Sequence, residues 1–163
     1  MIDASSNMSC PCSPSILVLP FVCGQLSLIF EKKAYFQQLI MNEEHLLDED
    51  EDEENDVTLV CSAADLVSVI ATVHGREFAS EAKIFIPHIM KYYRKTRTPM
   101  ERSMSMGCLG EITAAIESNI TEFTEAILPL AQKALCDHDD EVRSNAAFAL
   151  GVLCEHTTVD LTQ

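Results

Sequence analysis

The chain has 163 residues, of which 47% are apolar, which is enough for one ordinary domain with a sizeable core. Its net charge is −15, so its surface repels the phosphates of nucleic acids and attracts basic proteins or peptides. We therefore expect a basic protein partner and no nucleic-acid partner.

The cysteines predict buried thiols and not disulfides. Seven are present, which is an odd number. Free cysteine is among the most buried residue types, and a reducing compartment keeps it reduced. The triplet Cys10-Pro11-Cys12 lacks both the spacing and the second pair of a zinc site, so no metal is expected there. The cysteines that lie among Ala, Leu and Val on predicted helical faces are Cys61, Cys108, Cys136 and Cys154.

The first 30 residues are apolar and fit none of the patterns that follow. Residues 13–30 carry no charge and just reach the length of a membrane span. They contain Pro14, Pro20 and Gly24, however, and no basic residue precedes them, which disfavours a membrane or secretory segment. Two interpretations stay open: an apolar helix of a preceding repeat, or sequence foreign to the native protein from an imperfect gene model. A membrane-anchored protein is the less favoured third.

An acidic run follows a predicted helix. Residues 31–47 show one apolar stripe between charged flanks, which predicts a helix of a preceding repeat. Residues 48–56 then hold eight carboxylates in nine positions. Because like charges repel one another, we predict a solvated loop. The alternatives for this loop are a mere linker and a binding site for basic cargo. The candidate cargo-binding residues are Asp48, Glu49, Asp50, Glu51, Asp52, Glu53, Glu54 and Asp56.

Residues 57–97 predict a first pair of helices. Residues 57–73 follow the apolar spacing of an amphipathic helix, and Gly75 is a suitable residue for ending it. Residues 78–94 carry a second apolar stripe. Pro87 lies within this second pattern, where it should kink the helix or begin its well-formed part, since proline lacks the backbone donor.

Residues 98–137 predict a second pair. Thr98 can cap a helix and Pro99 suits its first position, so a helix should run to about residue 117. A short loop near residues 118–119 then leads to a partner helix that ends near residue 136. Residues 138–156 predict the first helix of a further repeat, capped by the acidic residues at its start. Residues 157–163 form a tail.

Two motifs recur with one period. The pattern Arg-Ser, five residues, Leu-Gly occurs at residues 102–110 and again at 143–151, about 41 residues later. Pro87 is followed at a similar distance by Pro129. A period near 41 with helical patterning is typical of HEAT and armadillo repeats. We therefore predict an all-α fold, a right-handed α-solenoid of HEAT repeats with about two and a half helix pairs. Such repeats need neighbours, so we expect a piece of something longer.

Nothing in the sequence predicts catalysis. It has no nucleophile elbow, no phosphate-binding loop and no His-Glu-x-x-His pair. His138 stands among acidic residues at a helix start, where capping is the expected role. Residues 154–156, Cys-Glu-His, would face apart on a helix and cannot act as a pair. We expect no enzyme, no cofactor and no metal. Glycine and alanine within residues 107–110 and 146–151 are expected to let helices approach closely.

Two of the predicted helices resemble a known family. Residues 100–111 resemble the Glu-Lys-Ser-x-Ala-x-Gly-x-Leu-Ala-Glu helix of the importin-beta (karyopherin-beta) nuclear transport receptors, most closely the importin-four subfamily. Residues 141–156 resemble its Glu-Val-Arg-Ser-Asn-Ala-x-Phe-x-x-Gly-Val-Leu-x-Glu-His helix, which is the longer and more specific match. An acidic stretch and a helix pair precede these motifs in the subfamily, so residues 31–156 are collinear with it. Residues 1–30 and 157–163 do not match.

The resemblance implies a receptor that moves between cytoplasm and nucleus and carries cargo through nuclear pores. It implies basic cargo such as histones and ribosomal proteins, bound on a concave surface and released when Ran-GTP binds. In the family, Ran-GTP engages repeats that are expected to be absent here, and phenylalanine-glycine nucleoporins bind between outer helices. The alternative is a HEAT-repeat scaffold or adaptor outside transport, because fold alone does not fix function.

Overall fold

The computed structural model describes residues 15–35, 37–38 and 49–161, with side chains for residues 18–35, 37–38 and 55–161. These ranges hold no strand. The 3-10 helices Gly75–Phe78 and Glu117–Phe123 lead into the third and fifth helices. The α-helices with defined bounds are α1 (Ser15–Phe30), α2 (Glu49–His74), α3 (Ala79–Met90), α4 (Pro99–Ile116), α5 (Thr124–Ala134) and α6 (Asp140–His156). The prediction of an all-α fold built from stacked helices is confirmed.

The helices lie in two layers. α4 packs along its length against α2 on one side and α6 on the other. α1 packs against α3 in the second layer, whereas α3 and α5 make little contact with each other. Neighbouring helices contact each other more extensively in the layer of α2, α4 and α6 than in the layer of α1, α3 and α5. We call the solvent-facing side of the α2, α4 and α6 layer, which carries Asp65, Met100, Met104, Glu111 and Phe148, the inner surface.

Local chemistry fixes where α4 begins, as the sequence predicts. Thr98 Oγ1 accepts a hydrogen bond from the backbone N–H of Glu101 at 3.2 Å. The carboxylate of Glu101 accepts one from the backbone N–H of Thr98 at 2.8 Å, which completes a capping box. Pro99 occupies the first turn, where its missing N–H costs nothing.

Asp139 and Gly75 mark two further helix boundaries. Asp139 caps α6 by accepting from the backbone N–H groups of Glu141 and Val142, both at 3.0 Å. The cap is thus acidic, as predicted. Gly75 follows α2 with a φ of 56°, a conformation that glycine adopts without steric cost.

The core lies between the two layers. The Phe78 and Phe85 rings stack with centroids 6.0 Å apart beneath α2. Pro87 lies inside α3, which begins at Ala79, so this proline does not begin the helix. The largest fully buried side chains are Val60, Phe78, Phe85, Ile86, Ile89, Met106, Leu109, Ile112, Ile116, Ile120, Ile127 and Leu153.

The N-terminal apolar segment packs as part of this core. The Phe30 ring meets the rings of Phe85 and Tyr92 edge-on, with centroids 6.0 and 6.1 Å apart. The hydroxyl of Tyr92 donates to the carbonyl oxygen of Phe30 at 3.3 Å. Cys23 and Leu26 are buried on the same side of α1. Of the open interpretations of residues 1–30, this packing fits a helix of a preceding repeat.

A helical stretch as long as a membrane span lies outside the N-terminal apolar segment. The helical stretch Asn55–Met90 is long and apolar enough to cross a bilayer by length and composition alone. Core helices of globular proteins pass the same test, and Val60, Ala64 and Val67 of this stretch are buried against other helices. The predicted candidate segment forms α1, which has only 16 residues.

The acidic run is helical and not a loop. α2 begins at Glu49, so residues 49–56 form its first two turns, while Asp48 lies outside the described residues. Carboxylates at a helix N-terminus are stabilised by the helix dipole, and the apolar stripe that follows anchors the same helix. These effects outweigh the repulsion on which the loop prediction rested.

Two other boundaries differ from the predictions. A helix was predicted over residues 31–47. Residues 31–34 form a turn, and the described residues 35, 37 and 38 are helical. Residues 39–47 lie outside the described residues. The predicted loop near residues 118–119 is part of the 3-10 helix Glu117–Phe123. The following helix, α5, therefore begins at Thr124.

The thiols divide into two groups. Cys61 and Cys108 are buried as predicted, and so is Cys23. Cys136 and Cys154 are exposed, so the prediction was wrong for them. Cys136 follows the end of α5, and Cys154 lies on a side of α6 that no described helix covers.

Candidate protein-binding surface

Side chains of α6 pack against small residues of α4. A Cβ atom added at Gly110 would lie 2.6 Å from the ring of Phe148 and 3.2 Å from Cα of Ala149. Asn145 lies over Gly107 and donates to the carbonyl and the hydroxyl oxygen of Ser103 at 3.2 and 2.9 Å. The expectation of close approach is confirmed for both glycines of α4.

Gly151, at the equivalent place on α6, is different. No atom of a described neighbour lies within 4 Å of a Cβ added there. The expectation of close packing is therefore wrong for Gly151 within the described residues, although it recurs in the same motif as Gly110.

A buried thiol joins α2 to α4. Cys108 accepts a hydrogen bond from the Ser68 hydroxyl at 3.2 Å and lies 3.5 Å from the carbonyl oxygen of Ala64. Burial raises the pKa of the Cys108 thiol to about 12, so it stays protonated at neutral pH. This cysteine has a structural role and is not a reactive nucleophile.

Acidic side chains project from each helix of the inner layer. Asp65 of α2, Glu111 of α4 and Glu141 of α6 are all exposed. Among the residues whose side chains are described, no Lys, Arg or His forms an ion pair with any of the three. Their charges are therefore available to a partner.

Two adjoining hollows lie among these carboxylates. The first has a volume of about 390 Å³, extends from α2 across α4 to α6, and is lined by Asp65, Met100, Met104 and Glu141 among others. The second, of about 590 Å³, lies between the C-terminal halves of α2 and α4 and holds Val69 and Phe148. Glu111 lines both. No Lys or Arg lines either hollow.

Basic residues gather on a different part of the surface. Lys91, Arg94 and Lys95 are exposed after the end of α3, and Lys133 is exposed near the end of α5. Lys133 lies over the Tyr93 ring at 5.7 Å from its centroid. These four cations lie apart from the inner surface, where Asp65, Glu111 and Glu141 are exposed.

An ion pair anchors the loop before α6 to α4. Asp137 accepts from two guanidinium nitrogens of Arg102 at 2.9 and 3.0 Å and from the hydroxyl of Tyr93 at 3.2 Å. These bonds, above all those from Arg102, lower the pKa of Asp137 to about 2. Arg143 donates to the backbone carbonyls of Asp137 and His138 from the other side. The pair belongs to the framework and not to the exposed acidic surface.

The predicted cargo-binding residues are only partly described. Asp56 forms an ion pair with Lys32 at 2.6 Å and accepts from the Gln37 amide at 2.8 Å, which ties the start of α2 to the segment after α1. Residues 49–54 have a helical backbone. Cargo binding by the acidic run therefore stays a prediction, and Asp56 has a structural partner already.

Sequence reasoning missed Asp65, Glu111 and Glu141. Asp65 and Glu111 each stand alone among apolar neighbours, whereas Glu141 follows Asp139 and Asp140 at the start of α6, where the acidic residues were interpreted as caps. A signal was present nonetheless, because each falls on the polar side of its helix. Among the described residues, no group of three His, Cys, Asp or Glu side chains is placed to hold a metal ion.

The fold and this surface define a HEAT-type α-solenoid with an acidic inner surface. The HEAT repeat family matches residues 127–157. The probable importin subunit beta-4 of Schizosaccharomyces pombe is 40% identical over 82% of this chain. Importin-4 of Mus musculus is 31% identical and Importin-4 of Homo sapiens 29% identical, each over 83% of the chain. The chain spans 12% of the length of each relative.

The chain therefore belongs to the importin-beta family of nuclear import receptors, and the resemblance in its helix motifs is confirmed. Its relatives are named as importins, which are transport receptors and not enzymes.

The matched repeat also indicates which helix begins each repeat unit. Residues 127–157 cover α5 from its fourth residue and all of α6, so the matched unit pairs a helix of the outer layer with the next helix of the inner layer. In that phase the preceding unit is α3 with α4. The predicted units, 57–97 and 98–137 with 138–156 beginning another, are displaced from it by one helix, because a period fixes spacing and leaves the starting point open.

Proposed function

We propose that this chain is part of a nuclear import receptor that binds basic protein cargo, such as histones or ribosomal proteins. The observation that carries the proposal is membership of the importin-beta family together with exposed carboxylates on the inner surface. Cargo of this class would be drawn to the chain by its net charge of −15. The acidic run, from Asp48 to Asp56, would add to that attraction at the start of α2.

The receptor as a whole would work between cytoplasm and nucleus. It would pass the pores by binding nucleoporins and would release cargo when Ran-GTP binds to repeats outside the described residues. Family membership supports each of these steps. The same solenoid in a scaffold or adaptor would bind proteins without Ran-GTP control, and no feature of the surface formed by the described residues favours that alternative.

A pull-down at two salt concentrations tests the cargo class. The chain is mixed with an immobilised histone-tail peptide at low and moderate salt, and compared with a variant in which every Asp and Glu of residues 48–56 becomes Asn or Gln. Binding should weaken with salt, because screening shortens the range of the attraction. It should also weaken on neutralisation.

The matched control is Glu77→Gln with Glu125→Gln, two exposed carboxylates outside the acidic run and the inner surface. This variant removes two negative charges, against eight in the acidic-run variant, and leaves both the acidic run and the inner surface unchanged. It should bind like the unaltered chain. Absence of binding by the unaltered chain at low salt would overturn the proposed cargo class. Equal loss in the control would show only an effect of net charge.

A further inference from the structure

We propose that the loops after α3 and α5 form a binding site for an acidic protein segment, one with Asp or Glu at about every third position. The site consists of Arg94, Lys95 and Lys133, which we call the basic edge, and of the hollow between them. It is opposite in charge to the inner surface, and the proposal does not depend on the proposed function.

The cations of the basic edge have no carboxylate of their own. The chain has 26 Asp and Glu for 11 Lys and Arg, so a cation could readily find a partner. Among the residues whose side chains are described, however, none of Arg94, Lys95 and Lys133 forms an ion pair. Cations gathered on one surface without counter-charges create a local positive potential, which attracts anions.

The carboxylates of the adjoining loop are already engaged. Asp137 is held by the guanidinium group of Arg102. Asp139 caps α6, and Asp140 pairs with Arg143. Each of these contacts would have to break before the carboxylate could turn toward the basic edge. The edge therefore keeps its positive charge in the folded chain.

A hollow of about 460 Å³ lies between the cations. It is lined by Arg94, Lys95 and Lys133 and by the ring of Tyr93. Lys133 lies over that ring at 5.7 Å from its centroid, and the Tyr93 hydroxyl donates to Asp137 at 3.2 Å. These contacts hold the loop after α3 against the loop after α5, so cations from successive repeats line one hollow. Asp137 also lines it, but its charge is matched by the ion pair described above.

Helix dipoles explain only part of this cluster. Cations near the C-terminus of a helix are stabilised by its dipole, an effect that fades beyond the last turn. It accounts for Lys133, which lies in the last turn of α5. Arg94 and Lys95 lie beyond Met90, the last residue of α3. The dipole of α3 therefore does not explain these two cations.

The repeat sets the spacing of the carboxylates in the partner. Lys91 and Lys133 each stand four residues after a proline, Pro87 and Pro129, so cations recur at this edge from one repeat to the next. Neighbouring helices pack about 8–10 Å apart. In an extended polyproline II segment, residues three positions apart share a side and lie about 9 Å apart. Asp or Glu at every third position would therefore reach cations of both loops.

An acidic peptide fits the basic edge better than a nucleic acid does. The carbonyl oxygen of Phe30, at the end of α1, accepts from the hydroxyl of Tyr92 in the loop after α3 at 3.3 Å. Lys32 pairs with Asp56, so the start of α2 lies one repeat before the basic edge. A nucleic acid that extended past the edge would meet the acidic run there, which repels phosphates. A short acidic peptide can bind without reaching it.

The test measures the fluorescence anisotropy of two labelled peptides, one with Glu at every third position and a twin with Gln at those positions. At about 0.1 M salt, where screening limits the range of distant charges to about 10 Å, the unaltered chain should bind the Glu peptide about tenfold more tightly. Arg94→Gln with Lys95→Gln should weaken binding of the Glu peptide about fivefold, as expected for two exposed ion pairs.

The matched control is Arg76→Gln with Lys83→Gln. It also removes one Arg and one Lys, but where α2 ends and α3 begins, and each of these cations already pairs with a carboxylate. The control variant should bind the Glu peptide like the unaltered chain. Circular dichroism of both variants shows that the helices are retained.

The outcomes separate this site from net charge, from nucleic-acid binding and from the proposed function. Equal affinity for the Glu and Gln peptides, or equal loss in the control, would overturn the site. A single-stranded DNA of the same charge that binds as tightly as the Glu peptide would overturn the choice of an acidic protein segment. Neutralising residues 48–56 should leave binding of the Glu peptide unchanged or strengthen it, whereas the proposed function predicts weaker binding of the histone-tail peptide. The two proposals therefore fail separately.

Discussion

The ring of Phe148 occupies the space where any side chain at Gly110 would stand. Its nearest ring carbons lie 2.6 Å from the position of an added Cβ atom. The contact joins consecutive helices of the inner layer and also fixes the position of a ring that lines the second hollow. One glycine thus serves the stacking of repeats and the shape of the surface.

Replacing Gly110 should therefore destabilise the chain. In Gly110→Ala the ring must move against neighbouring groups, and overpacking of this kind costs about 1–3 kcal/mol. Gly151→Ala is the control, because the position is open and alanine favours the helix by up to about 1 kcal/mol. Urea denaturation of both variants checks this. Similar free energies of unfolding for the two variants would mean that the contact with Phe148 is not tight.

Phe30 should be essential for stability and Phe21 should not. Phe30 is 6% exposed and meets two aromatic rings, whereas Phe21 on the same helix is 68% exposed. Phe30→Ala should cost about 3–5 kcal/mol, as for other buried phenylalanines. Phe21→Ala should cost less than about 0.5 kcal/mol. Thermal unfolding measures the difference, and equal melting temperatures would show that α1 does not pack on the core.

The ion pair of Asp137 should make stability depend on pH. Asp137→Asn should cost about 1–3 kcal/mol at neutral pH, since it leaves Arg102 without its charged acceptor. The folded pKa of Asp137, about 2, lies below its ordinary value of 3.8, so the stabilisation is present above pH 4 and is lost as the pH falls toward 2.

Denaturant titrations from pH 7 to pH 2 check this prediction. The free energies of unfolding of the unaltered chain and of Asp137→Asn should converge as the pH falls. Asp140→Asn is the control, because the Asp140 side chain is 92% exposed and its pairing with Arg143 should contribute little. A constant difference between the unaltered chain and Asp137→Asn down to pH 2 would contradict the assigned pair.

Thiol labelling should separate the cysteines. Cys136 and Cys154 are exposed and should react with a maleimide under native conditions at pH 8. Cys108 should react only on unfolding, because it is buried and burial raises its pKa to about 12. Mass spectrometry of the labelled peptides reads out each position. Labelling of Cys108 as fast as Cys154 would show that α2 and α4 separate readily.

The sequence predicted those features that depend on neighbouring residues. The cap at Thr98, the helix end at Gly75 and the approach of helices at Gly110 follow from the chemistry of a few adjacent positions. The acidic run was predicted wrongly because repulsion was weighed without the helix dipole and the apolar stripe that follows.

Features that depend on what packs on a face could not be predicted. Cys154 and Gly151 lie in patterns that elsewhere mark buried positions, but periodicity does not say whether another helix covers them. The same limit hid Glu111, whose importance comes from the two hollows that it lines and not from its neighbours in the chain.

Methyl NMR of the methionines tests most directly the claim that the inner surface receives basic protein segments. Met100 and Met104 line the first hollow, whereas Met106 is 0% exposed. On titration with a Lys/Arg-rich peptide, the methyl signals of Met100 and Met104 should shift in proportion to binding, and that of Met106 should stay in place. Saturable binding with both Met100 and Met104 unmoved would place the partner elsewhere and contradict the account.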